Sequence, residues 1–155
     1  MADGPHAWSS GEGTTCVSHD RGQADFLEGL QAERKLAGNE RDALGAARKA
    51  MACPVGEGTA APVDVATSSE QGRAFADYLR AVAAFYAGNH DPAPFQALSA
   101  SKQPWVREAS RYMVGRAWAL VGQASGFGTY GELDHDRMDK AALAKARGAL
   151  DAYLK

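Results

Sequence analysis

Residues 85–95 read FYAGNHDPAPF, and the reading of this stretch decides the fold. An apolar, helix-like run stops at Ala87-Gly88, Asn89-His90-Asp91 follows, and Pro92-Ala93-Pro94 leads into further apolar residues. Gly88 suits the position just past a helix end, where the chain turns left-handed and a Cβ is unfavourable. Asp91 suits a helix N-cap, with Pro92 in the first helical position, where a missing N–H is no loss. The stretch therefore reads as an elbow between two helices. The competing reading makes His90-Asp91 a metal or acid–base pair, but Asp91 is already engaged as a cap.

Working outward, Phe75, Leu79, Val82 and Tyr86 recur at spacings of four, three and four, with Tyr78 and Phe85 widening the stripe. Ser68 with Gln71 forms a capping box for this helix. After the elbow comes a short helix with Phe95 and Leu98 inward. Gln103-Pro104 repeats the cap-and-proline device and opens a long helix, in which Val106, Ala109, Met113, Ala117 and Leu120 form one face. Trp105, Tyr112 and Trp118 fall outside that stripe. A glycine-rich loop, SGFGTYGELDHD (125–136), separates it from a last helix over 137–154, with Asp136 and Asp139 as caps and Leu143, Ala146, Leu150 and Leu154 inward.

Before residue 68 the pattern is weaker. Residues 1–18 are Gly/Ser/Thr-rich and read as a loose segment. A helix is expected over 23–36 with Phe26, Leu27 and Leu30 inward, ended by Gly38. Asn39 and Asp42 form the capping box of the next helix, whose inward face is Leu44, Ala47, Ala50 and Met51. Residues 54–68 carry Pro54, Pro62, Gly56 and Gly58 and no sustained period, so they read as a connecting loop. The domain expected is thus a single helical unit over 19–155, divided into hairpins at 19–53, 69–104 and 105–155. With abundant alanine, few β-branched residues and no period-2 alternation, the fold class is all-α, about six helices in antiparallel pairs.

A chain of 155 residues is long enough for one self-supporting core. Its net charge of −2 gives no electrostatic basis for binding nucleic acid. No stretch approaches the ~20 apolar residues of a membrane span. The N-terminus has no basic flank and no hydrophobic run, so it is not an intact signal peptide, although it fits a mature secreted start with an added Met. Cys16 and Cys53 bracket the first hairpin, each beside a polar, Gly-rich or Pro-containing segment. A bridge between them closes a loop of about forty residues and stabilises by about 4 kcal/mol. It also implies an oxidising compartment such as a periplasm, whereas two free thiols imply a cytoplasmic protein.

The elbow AGNHDPA (87–93), the small residues at helix crossings and the proline after the second helix together make a pattern. Residues 75–104 resemble a unit of the tetratricopeptide (TPR) family, with Gly88, Asp91, Ala93 and Pro104 in the roles of helix end, acidic turn, small packing residue and closing proline. A looser second unit spans 105–154, and ALAKARGALDAYLK (142–155) resembles the second repeat helix of TPR proteins of the bacterial outer-membrane assembly lipoprotein type. Pro94 inside the short helix and irregular helix lengths depart from the family pattern. The resemblance implies a short α-solenoid whose concave face captures a partner's peptide or helix. That is a non-catalytic scaffold of the cell envelope, and the absence of a polar cap at AYLK points to a longer solenoid. Two alternatives are an accessory helical domain of an envelope enzyme and a small helical metal-binding protein.

Several residues carry chemistry of their own, and each also has a structural reading. Glu132, Asp134, His135 and Asp136 alternate carboxylates along a loop, but without the spacing of a calcium loop. A solvated acidic turn at a helix N-terminus fits equally. Cys16, His19, Cys53 and His6 are potential zinc ligands without the spacing of a zinc finger. No serine lies in a G-x-S-x-G turn, GFGTYG follows a helix rather than a strand, and no cofactor is implied. The surface expected to bind a partner is Arg107, Arg111, Val114 and Trp118, a basic-aromatic strip opposite the Ala109/Met113 face and made of residue types common in interface hot spots. Its structural alternative has Trp118 packing on a neighbouring helix with the arginines beside it.

Overall fold

The computed structural model describes residues 15–53 and 62–155, and among these it holds six α-helices and no strand. In chain order they are α1 (His19–Ala32), α2 (Gly38–Ala50), α3 (Glu70–Tyr86), α4 (Ala93–Leu98), α5 (Pro104–Ala124) and α6 (Lys140–Tyr153), with a 3-10 turn at His135–Arg137 before α6. The fold is all-α, as the periodicity requires.

α3 is the central element. Phe75, Ala76, Tyr78, Leu79, Ala81, Val82, Ala83, Phe85 and Tyr86 are all buried, so little of its circumference faces solvent. A helix apolar on most sides has to be enclosed by others, and aromatic side chains do much of the enclosing. Phe26 of α1 stands edge-on to Phe75 at 5.6 Å, Trp105 of α5 stacks on Phe75 at 5.8 Å, and Phe95 of α4 lies 6.2 Å from Tyr78 and 6.1 Å from Phe85.

The elbow at 87–93 forms as its residues dictate. Gly88 has φ +93°, its N–H donates to the Phe85 carbonyl and the Asn89 N–H donates to the Ala84 carbonyl, which is a Schellman end. The Asp91 carboxylate accepts from the Ala93 N–H at 2.9 Å. Gln103 likewise caps α5, its Oε1 accepting from the Val106 N–H at 2.7 Å while its Nε2 donates to Glu33 of the α1–α2 turn at 3.1 Å.

Several boundaries differ from the sequence reading, and each has a side-chain cause. α1 covers His19–Ala32 rather than 23–36, because the Arg41 guanidinium takes the carbonyls of Leu30, Glu33 and Leu36 and so closes the helix end early. α2 starts at Gly38 with no side-chain cap, so Asn39 does not cap it. On its inner face Ala50 is exposed and Arg48 occupies the buried position. α3 is capped by Ser69, which accepts from the Gly72 N–H at 2.9 Å, rather than by Ser68. α6 begins at Lys140 behind the Asp139 cap, Asp136 belongs to the 3-10 turn, and Leu154 is 79% exposed instead of inward because the helix ends at Tyr153. Trp105, expected outside the core stripe, packs on Phe26, Phe75 and Tyr78.

Glycines set the tightest helix contact. A Cβ at Gly115 would lie 2.5 Å from Leu150, and one at Gly122 would lie 2.7 Å from Leu143. Tyr112 meets Tyr153 at 5.6 Å. As the α5 number rises the α6 number falls, so the two helices run antiparallel with leucines seated over glycines. α1 and α2 are also antiparallel, since Arg41 meets the end of α1 and Arg48 its start. Between α2 and α3 the direction does not alternate: Glu40 at the start of α2 meets the start of α3, and Arg48 near its end meets Tyr86 at the end of α3. The segment joining them returns the chain to the other end, and the Val65 within it is buried in the core.

Cys16 and Cys53 are joined by a disulfide with Cα atoms 5.7 Å apart, within the normal span. Residues 15–18, expected to be part of a loose segment, are pinned by that bond and by Arg116 of α5, which donates to Ser18 Oγ and the Thr15 carbonyl. The remainder of the 1–18 segment, and 54–61 of the connecting loop, lie outside the described residues.

Two predictions follow from these ties. Glu40 is only 3% exposed, and its carboxylate accepts from the Ser69 hydroxyl, the Ser68 and Ser69 N–H groups and the Ser68 hydroxyl. These bonds, that of the Ser69 hydroxyl foremost, hold its pKa down at about 2 against the opposing effect of burial. A depressed carboxyl contributes stability that is complete above its unfolded pKa and is lost as pH falls through the folded one. Denaturation midpoints should therefore decline between about pH 4.5 and pH 2, and Glu40→Gln should cost about 1–2 kcal/mol at pH 7 with a shallower acid decline. Urea titrations at both pH extremes check this, and parallel curves for the two proteins would refute it. The disulfide closes a loop of sequence separation 37, so the Cys16→Ser/Cys53→Ser double variant should lose up to about 4 kcal/mol in the same titration under non-reducing conditions.

Candidate functional site

The residues singled out in the sequence take up local structural roles in most cases. His90 and Asp91 do not act together. Asp91 accepts from the Ala93 N–H just ahead of α4, whose N-cap position falls on Pro92 rather than on Asp91, while His90 lies against the Phe85 ring with centroids 4.9 Å apart and its Nε2 is 3.3 Å from Thr15 Oγ1. Burial lowers the His90 pKa, and the nearby Arg116 charge lowers it further. In the acidic loop, Glu132 accepts from the Tyr130 N–H and Asp134 accepts from the Asp136 N–H. An isolated bridge between Phe127 and Leu133 closes that loop. Cys16 and Cys53 are bonded to each other, His19 Nε2 is 3.1 Å from the Met51 carbonyl, and His6 lies outside the described residues. Among the described residues no three His, Cys, Asp or Glu side chains gather as metal ligands.

The basic-aromatic strip is present on α5, but its members are engaged. Arg107 and Arg111 flank Glu108 at 3.5 and 3.1 Å. Val114 packs against the core, and Lys145 of α6 sits 4.3 Å above the Trp118 ring.

Between α1, α3 and α5, with Tyr153 of α6 at its margin, lies a cleft of about 540 Å³. That volume is in the range of small-molecule and peptide-anchor sites. Five aromatic side chains line it: Tyr78 and Tyr86 from α3, Trp105 and Tyr112 from α5, and Tyr153. Tyr112 and Tyr153 remain 37% and 39% exposed at the mouth, whereas Tyr78 and Tyr86 are buried beneath. The rim carries Arg21, Asp25, Glu28 and Glu108, the last being the carboxylate shared by Arg107 and Arg111, so the predicted strip adjoins the cleft along one edge.

Glycines of α1 shape this cleft. Gly29 lets the Trp105 ring lie directly on the helix backbone, since a Cβ there would be 2.6 Å from two ring atoms. At Gly22 a Cβ would stand 3.5 Å from Arg48 Nη2 and 3.7 Å from Tyr86 Oη, so α1 passes close to those polar groups.

Arg48, at the floor, has the site's most unusual electrostatics. It is 1% exposed, donates to the His19 carbonyl at 2.8 Å and to Tyr86 Oη at 3.3 Å, has Nη1 3.4 Å from His19 Nε2, and its guanidinium lies 5.5 Å from the Tyr86 ring centre. Among the described residues no carboxylate is within ion-pair distance of it. Burial raises the pKa of both Tyr78 and Tyr86, so both hydroxyls stay protonated, while the Arg48 charge pulls the other way in each. The Tyr78 hydroxyl makes no hydrogen bond to the described residues. The floor thus offers a cation and phenolic donors below an aromatic wall.

Sequence reasoning did not single out this cleft. A partial signal existed, because Glu40, Leu44 and Arg48 recur every fourth residue and place charges at both ends of an otherwise inward stripe. Comparison with protein families, curated proteins and solved structures finds no match to this chain.

The Gly29–Trp105 contact is directly testable. An indole ring pinned between Phe26, Phe75 and Tyr78 cannot yield to a methyl group as a flexible chain end would. Gly29→Ala should destabilise by about 1–3 kcal/mol and change the tryptophan emission spectrum. Unchanged stability and emission would mean that Trp105 does not lie on α1.

Proposed function

We propose that the chain is a non-catalytic interaction domain of a cell-envelope protein, and that the cleft between α1, α3 and α5 is where it holds a segment of a partner. The aromatic-walled cleft carries the reading. A fold that buries Phe26, Phe75, Phe85 and Phe95 completely leaves Tyr112 and Tyr153 half-open at the mouth of a concave site. Tyr, Trp and Arg are the side chains through which interfaces concentrate binding energy, since a large rigid ring loses little conformational freedom on contact.

The envelope assignment rests on the Cys16–Cys53 disulfide, a bond that persists in oxidising compartments. A TPR-like arrangement is proposed for α3 to α6 alone. The Gly88–Asp91 elbow and the antiparallel α5–α6 pair support it there, while the same-sense run of α2 and α3 sets the first hairpin apart. The metal-binding alternative loses its two cysteine ligands to the disulfide.

Selection from a library of displayed random peptides on the full chain tests the reading. Selected peptides should lose about tenfold or more in affinity against Tyr112→Ala, an exposed change at the cleft mouth. They should tolerate Trp118→Ala on the outer strip. Peptides that bind Tyr112→Ala unchanged would place the site elsewhere, and loss confined to Trp118→Ala would move it to the Arg107–Trp118 strip.

A further inference from the structure

An arginine buried to 99% without an acidic partner needs an explanation. Desolvating a guanidinium costs several kcal/mol unless a counter-charge or a full set of acceptors replaces water. Arg48 has neutral partners only, the His19 carbonyl, His19 Nε2 and Tyr86 Oη, and no carboxylate compensates its charge. It nonetheless lines the cleft, beside two tyrosine hydroxyls that burial keeps protonated as donors. Gly22 of α1 borders both groups: a Cβ there would stand 3.5 Å from Arg48 Nη2 and 3.7 Å from Tyr86 Oη, in contact with each.

The exposed carboxylates nearby do not fill the role. Asp25, Glu28 and Glu108 sit on the rim, with Glu108 already bound by Arg107 and Arg111. The site is therefore cationic at its floor, aromatic along its walls and acidic only at its mouth. That order suits a ligand whose anionic end goes in first with an apolar group directly behind it.

Resting on the interaction reading above, we propose that the cleft recognises the C-terminal carboxylate of a partner peptide, with Arg48 and the Tyr86 hydroxyl taking the carboxylate and Trp105, Tyr78 and Tyr112 enclosing an apolar last side chain. A guanidinium binds a carboxylate through two parallel N–H donors, a match in shape as well as charge. A cleft of about 540 Å³ holds a compact body rather than a long segment, which favours a chain end over a strand passing through. Recognition of chain termini by buried donors is a recurring mode of peptide capture.

The test uses the full chain and three probes: an N-acetylated tetrapeptide ending in phenylalanine as the free acid, the same peptide as its C-terminal amide, and 3-phenylpropionate. Titration calorimetry should give the free-acid peptide an affinity about tenfold or more above that of the amide. Arg48→Met should bring the two peptides level. Because Arg48 also ties α1 to α3, Gly22→Leu provides a second variant that keeps the arginine, sets a bulky side chain against Arg48 Nη2 and Tyr86 Oη in the cleft lining, and should abolish binding of the acid. Equal affinity of acid and amide on the wild-type protein would overturn the carboxylate assignment while leaving the peptide reading intact. Binding of 3-phenylpropionate as tight as that of the peptide acid would overturn the peptide as the source of the carboxylate, and with it the interaction reading. No binding of any probe would overturn the proposal outright.

Discussion

The carboxylate of Glu40 holds the two halves of this fold together. It sits on α2, yet it does for α3 what the third-position acid of a capping box does for its own helix: it satisfies the N–H of the cap residue. It also takes the Ser69 hydroxyl that in turn caps the Gly72 N–H. One buried side chain thus satisfies the first turn of the central helix from outside it. Gly72 is the complementary feature, because a Cβ there would come within 2.8 Å of the Glu40 oxygen. A charge in this position is stable only because both of its oxygens are hydrogen-bonded, and losing the serine donors would leave an unsatisfied anion in the core.

Two turns further along α2, Arg48 performs the matching task at the opposite end of α3. Glu40, Leu44 and Arg48 form one inward row, with an acid clamped on the start of α3 and a base on Tyr86 at its end. The row forces α2 and α3 to run in the same direction. That direction in turn obliges the 51–69 segment to travel back along the helices, and the disulfide fastens its beginning to the start of α1. The cleft follows from the same geometry. With α1 opposed to α2 and lying across α3, its glycines face Trp105 and Arg48, so a backbone without side chains becomes one wall of the site.

Local chemistry was legible in the sequence and distant chemistry was not. Gly88, Asp91 and Pro104 each act on residues within a few positions, so the elbow and the start of α5 could be read directly. The inward face of α3 was equally plain because it is periodic. The misplaced features all depend on a partner far along the chain: Arg41 truncating α1, Glu40 standing in for the capping box acid, and Trp105 leaving its expected face to lie on Gly29. The α5–α6 register is an instructive intermediate. Gly115 and Gly122 share the seven-residue spacing of Leu143 and Leu150, which they receive, so the fit was present in the sequence as two matching intervals rather than as a motif. The cleft itself had no local signature, because its lining residues come from five helices.

The contrast between the two buried charges bears on function. Glu40 and Arg48 lie two turns apart on one face, and both are almost wholly withdrawn from solvent. Had they been placed for stability alone, both would be expected to end in matched hydrogen-bonding shells, since an incomplete shell around a charge is worse than an apolar residue of similar size. Glu40 meets that standard. Arg48 falls short of it, with neutral partners and no anion, and it lines the cleft. A leucine or methionine in its place would pack against Tyr86 without the desolvation cost. The cation is therefore better explained by what enters the cleft than by what surrounds it, and departures from local packing rules of this kind are expected where a site has been built.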